Sequence, residues 1–86
     1  MKHRIEFTKA AGRDLAALPR NVARRVDDVL QVLRANPRPP KAQRLRGRLH
    51  IYHRVRVGDF RIIYLIEDDR LVVCVVKIGH RKDVYR

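Results

Sequence analysis

A chain of 86 residues with one cysteine has room for one domain with a modest core and no internal disulfide. Its net charge of +12, from 21 Lys and Arg against 9 Asp and Glu, points to nucleic acid, an anionic membrane or an acidic protein as partner, if it is not simply a solvated surface. An apolar share of 45% excludes a disordered basic tail.

The opening segment alternates, with His3, Ile5 and Phe7 against Arg4 and Glu6, and predicts a strand. Thr8 then suits a helix N-cap, and Ala11, Leu15 and Leu18 follow at helical spacing until Pro19. Gly12 weakens that helix. Residues 20–35 carry Val22, Val26, Val29, Leu30 and Leu33 on one stripe and predict a second, antiparallel helix. Pro37, Pro39 and Pro40 stop it. A basic loop follows, with Leu45 and Leu49 expected to tack it to the core.

Three strands are predicted at about 50–57, 60–66 and 71–78, joined by Gly58-Asp59 and by "EDDR" as hairpins. The last is apolar on both sides and suits a central position, with Cys74 as a buried, inert thiol. The longest apolar run, residues 71–76, is far short of a membrane span, and no signal peptide is evident. The reading is therefore a cytoplasmic protein with no membrane role and no metal or other cofactor, since the four His and one Cys show no ligand spacing. The expected fold is α+β in the order β-α-α-β-β-β. A helical hairpin packs on one face of a small, mainly antiparallel four-stranded sheet, and a short C-terminal tail or helix follows. Residues 1–86 form one domain.

Period two places Val55 and Val57 on one sheet face and Tyr52, Arg54 and Arg56 on the other, with Arg61. Adjacent cations on one face repel unless an anion neutralises them. A bound phosphate would do so, because arginine can grip it through two donors in a fixed plane.

The segments "IEFTKAAGRDLAALP", "ANPRPP", "LRGRLHIYHRVRVGDFRIIY" and "IGHRKDVYR" together resemble the RelE/ParE toxin superfamily over nearly the whole chain. That resemblance implies a toxin of a type II toxin–antitoxin system, held inactive by a cognate acidic antitoxin in a hetero-oligomer. RelE-type members cut messenger RNA in the ribosomal A site; ParE-type members inhibit DNA gyrase without catalysis. A third possibility is a degenerate toxin acting only as co-repressor. The RelE-type site carries over to Arg54, Arg56, Arg61, Arg81 and Tyr85, and this retention favours the endoribonuclease branch. Well-studied relatives tend to have lysines where this chain has Arg54 and Arg56. A guanidinium is a poor base, so the general base is unassigned. His53 should face the helices by parity; His80 is the better candidate because it adjoins Arg81 and the resemblance implies a catalytic histidine in this tail in some relatives, with a structural hydrogen bond as its alternative.

The implied reaction is metal-independent attack of an RNA 2′-hydroxyl on the adjacent phosphorus. Arg54 and Arg61 would clamp the scissile phosphate, and Arg81 would stabilise the leaving oxygen or protonate it. Tyr85 would stack on or orient a base, or else anchor the tail. Arg56 would hold a flanking phosphate. Lys41, Arg44, Arg46 and Arg48 would grip RNA without regard to sequence, or form a solvated face. Arg61 could instead pair with Asp59 or Asp83.

Overall fold

The computed structural model describes residues 2–80. In chain order these form β1 (Arg4–Phe7), α1 (Lys9–Ala17), α2 (Arg20–Ala35), β2 (Gln43–Arg44), β3 (Tyr52–Val57), β4 (Phe60–Glu67) and β5 (Val72–His80). Thr8 makes the first corner. Its hydroxyl accepts from the Ala11 N–H at 3.1 Å and donates to the Val76 carbonyl at 3.2 Å. One side chain thus caps α1 and ties it to β5. Pro19 caps α2 without a side-chain bond, as its fixed φ allows.

The sheet order is β1-β5-β4-β3-β2, with β1 parallel to β5 and every other pair antiparallel. Five strands replace the expected four, because Gln43 and Arg44 of the basic loop pair with Arg54 and His53. Two residues are too short to show a period. The apolar β5 does lie inside the sheet, between β1 and β4. The "EDDR" link is a short 3₁₀ turn over Asp68–Arg70. The expected C-terminal tail or helix lies outside the described residues.

The helical hairpin covers one sheet face. Ala11, Val26, Leu30 and Leu33 pack on Val55, Val57, Ile62, Tyr64, Val73, Val75 and Ile78. Tyr64 is wholly buried and donates its hydroxyl to the Pro37 carbonyl at 2.7 Å, while burial pushes its pKa up to about 12. It pins the proline-rich link to the core. Leu49, expected to tack down the basic loop, is instead 42% exposed. Ala42 packs on the core in its place, and polar bonds secure the rest of the loop. Arg44 Nε donates to the His50 carbonyl at 2.7 Å and Leu45 N–H to the Tyr52 carbonyl at 3.0 Å. Cys74 is half-buried rather than buried, since it lies on the sheet face that the helices leave open. Burial, then the charges of Glu67 and Glu6, push its thiol pKa up.

A polar clamp closes one end of the sheet. Asp68 accepts from Arg38 Nη2 at 2.9 Å, and its other oxygen lies 3.3 Å from Nε2 of the buried His3. The hydrogen bonds from Arg38 and His3 hold the Asp68 carboxyl below the usual carboxylate range. A depressed carboxyl contributes stability above its unfolded pKa of about 3.9 and loses it as pH falls through the folded value. Asp68→Asn should therefore flatten the acid limb of the stability curve. Urea midpoints from about pH 6 down to about pH 3 check this, and equal slopes in the two proteins would contradict it.

Candidate nucleic-acid interface

The face turned away from the helices collects the cations. In the β3–β4 ladder Arg56 lies directly across from Arg61, and Arg54 across from Ile63. Like charges so placed oppose pairing unless a counter-charge arrives. Asp59 does not supply it, for Arg61 makes no ion pair among the described residues; Asp83 lies outside them. Arg61 is half-buried, and its Nε is shut off from solvent with no hydrogen-bond partner among those residues. A buried N–H without a partner costs about 1–3 kcal/mol, more when charged.

Gln43 orients the next arginine. Its Oε1 accepts from Arg54 Nη2 at 2.7 Å and Nε at 3.2 Å. The sequence reading overlooked Gln43 because only the β2–β3 pairing brings it onto this face. An open cleft of about 400 Å³ is lined by Pro40, Lys41, Gln43, Arg54 and Arg56. A neighbouring cleft of about 560 Å³ shares Gln43 and Arg54 and adds Arg44 and Arg46. Lys41, Arg44, Arg46, Arg54 and Arg56 therefore line adjoining surfaces. Arg48, on the 3₁₀ turn Gly47–Leu49, lines neither cleft.

The histidines stand apart. His53 stacks on Tyr64 with ring centroids 5.7 Å apart, on the helix side as parity predicts. Burial, then the charges of Arg38 and Arg44, push its pKa down. His80 pairs with Phe60 and meets its ring edge-on at 5.7 Å. That register turns His80 to the face opposite Arg61, so it does not join the arginine cluster. Arg81 and Tyr85 lie outside the described residues.

Lys77 is the cation that the sequence reading missed. Strict alternation from Val73 and Val75 would bury it beneath the helices. Instead Ile63 pairs with Lys77 while Tyr64 pairs with Val75, leaving Val76 as an extra, bulged residue. Its carbonyl accepts from the Thr8 hydroxyl at 3.2 Å, and just beyond it, where β1 has ended, Asp14 Oδ2 accepts from the Ile78 N–H at 3.0 Å. The bulge sends Ile78 into the core and Lys77 onto the arginine face. A lone lysine in an apolar strand, next to a helix offering Asp14, was the available signal. Among the described residues, no three His, Cys, Asp or Glu side chains are grouped to hold a metal ion.

A helical hairpin on one side of a small mixed sheet, with guanidinium groups on the other, defines a basic α+β protein with a cationic face. Residues 5–85 match the family model described as the ParE toxin of the type II toxin–antitoxin system parDE. The toxin RelG of Mycobacterium tuberculosis is 35% identical over 88 residues, covering 100% of this chain and 99% of its own. The fold superposes on the toxin–antitoxin complex RelBE2 of the same organism with a TM-score of 0.84 at 28% identity, covering 94% of this chain and 100% of that one. The RelE–RelB complex of Pyrococcus horikoshii gives a TM-score of 0.81 at 26% identity, covering 98% and 100%. The chain belongs to the RelE/ParE superfamily of toxins of type II toxin–antitoxin systems.

Proposed function

We propose that this toxin is a ribosome-dependent endoribonuclease that cuts messenger RNA in the A site and so stops translation. The observation that carries this reading is the direct pairing of Arg56 with Arg61 on an open face, together with the unpartnered Nε of Arg61. In the cleavage, the 2′-oxygen attacks the adjacent phosphorus in line and displaces the 5′-oxygen. Arg61 and Arg54 bind the phosphate, where charge grows in the transition state. Arg56 holds a flanking phosphate, and Lys41, Arg44 and Arg46 engage backbone further along the clefts. Arg81 stabilises the leaving oxygen and Tyr85 stacks on a base. A site without a strong base gains most when the ribosome fixes the RNA in the attack geometry.

The partner that silences it is an acidic antitoxin, as the toxin–antitoxin complexes among its structural neighbours support. A groove of about 830 Å³ between α2 and β3 is lined by Val29, Val32, Val55 and Val57 and edged by Arg25 and Arg56. It suits an amphipathic segment with acidic flanks. Lys41 and Arg56 line both this groove and the RNA cleft, so an occupant of one crowds the other.

The family model's description as a ParE toxin favours a second reading, inhibition of DNA gyrase. Induction in growing cells separates the two. The endoribonuclease reading expects rapid loss of translation with messenger cuts phased to codons. DNA breaks with filamentous cells and intact messages would support the gyrase reading and overturn the first.

A further inference from the structure

We infer that Lys77 is a further catalytic residue, whose ammonium gives its proton to the departing 5′-oxygen. This rests on the endoribonuclease reading above. Three observations point to it. First, Lys77 shares the open face with the arginines only because of the bulge at Val76, whose carbonyl accepts from the α1 cap Thr8, and Asp14 of α1 accepts from the next core residue's N–H, that of Ile78. A strand kept regular would have hidden the amine. Second, Arg61 pairs with Gly79 while Lys77 pairs with Ile63, so Arg61 and Lys77 are diagonal neighbours on one face. Such neighbours are about 7–8 Å apart, within reach of a shared phosphate for two long side chains. Gly79, the residue across from Arg61, adds no side chain between them. Third, the Lys77 side chain makes no hydrogen bond or ion pair among the described residues.

The chemistry separates lysine from its neighbours. A guanidinium binds phosphate well but parts with a proton only at very high pH, whereas an ammonium is charged at neutral pH and is a competent acid. In the step, the 2′-oxygen bonds to phosphorus and the bond from phosphorus to the 5′-oxygen breaks. That oxygen takes a proton from Lys77, and the 2′-hydroxyl proton passes to water. The products are a 2′,3′-cyclic phosphate and a 5′-hydroxyl, and the neutral amine regains its proton from solvent.

The test uses the purified toxin, ribosomes and a messenger with either an ordinary 5′-oxygen or a 5′-sulfur at the cleaved linkage. Sulfur leaves without protonation. With oxygen, Lys77→Ala and Lys77→Arg should both be slower than wild type by about 10²–10⁴-fold. With sulfur, both defects should disappear, while that of Arg61→Ala should persist. Restoration by Lys77→Arg on the oxygen substrate would reduce Lys77 to a charge and overturn the proposal. So would a Lys77→Ala protein that cuts at the wild-type rate, or one equally slow on both substrates. If the wild-type protein cuts neither messenger, the endoribonuclease reading itself fails.

Discussion

Arg61→Ala should lower the rate of messenger cleavage by about 10²–10³-fold, the usual loss when one preorganised donor to a developing oxyanion is removed. Few surface changes in a protein this small should do so much to activity and so little to folding. Arg61 has no ion-pair partner among the described residues, and Arg56 faces it directly across the ladder. Its loss relieves repulsion, so stability should hold or rise by about 0.2–1 kcal/mol. Arg61→Lys should recover only part of the rate, since an ammonium keeps the charge but loses the planar pair of donors. Single-turnover cleavage beside thermal melts checks both halves. An unstable Arg61→Ala protein would show that the side chain serves the fold.

Leu33→Ala should have the opposite signature. Leu33 is fully buried where the last turns of α2 meet the core. Truncating a buried leucine costs about 2–5 kcal/mol through lost transfer energy and the cavity left behind. A domain of this size is stable by about 5–15 kcal/mol in total, and each kilocalorie lost lowers its melting point by about 4–8 °C. Cleavage per folded molecule should be unchanged. Val32, one residue earlier, is 52% exposed, and Val32→Ala should move stability by no more than about 0.5 kcal/mol. Calorimetry of the pair checks the contrast. Equal melting points would mean that the helical stripe does not carry the core.

The helices were legible because their signals are local. The Val26, Leu30 and Leu33 stripe runs along one side of α2, and Thr8 sits where a cap must be. The arginine face followed from parity in β3 and β4, which pair without irregularity from Tyr52 to Val57. What escaped depends on pairing between distant segments. Strand β2 exists only because Gln43 and Arg44 find β3 across a loop, and that pairing supplies Gln43 to Arg54. Lys77 escaped because one bulged residue reverses the parity of everything after it; His80 was placed near the arginines because it adjoins Arg81 in sequence, and its pairing with Phe60 turns it to the other face. Leu49 was expected in the core on hydrophobicity alone, yet hydrogen bonds hold its loop and leave it outside.

The deciding experiment is primer extension on a message being translated by purified ribosomes, with the wild-type protein and Arg61→Ala side by side. If phosphodiester charge is what this guanidinium surface awaits, the wild type yields new 5′ ends spaced by codons and the variant almost none. Uncut message in both lanes, or equal cutting in both, would contradict the account.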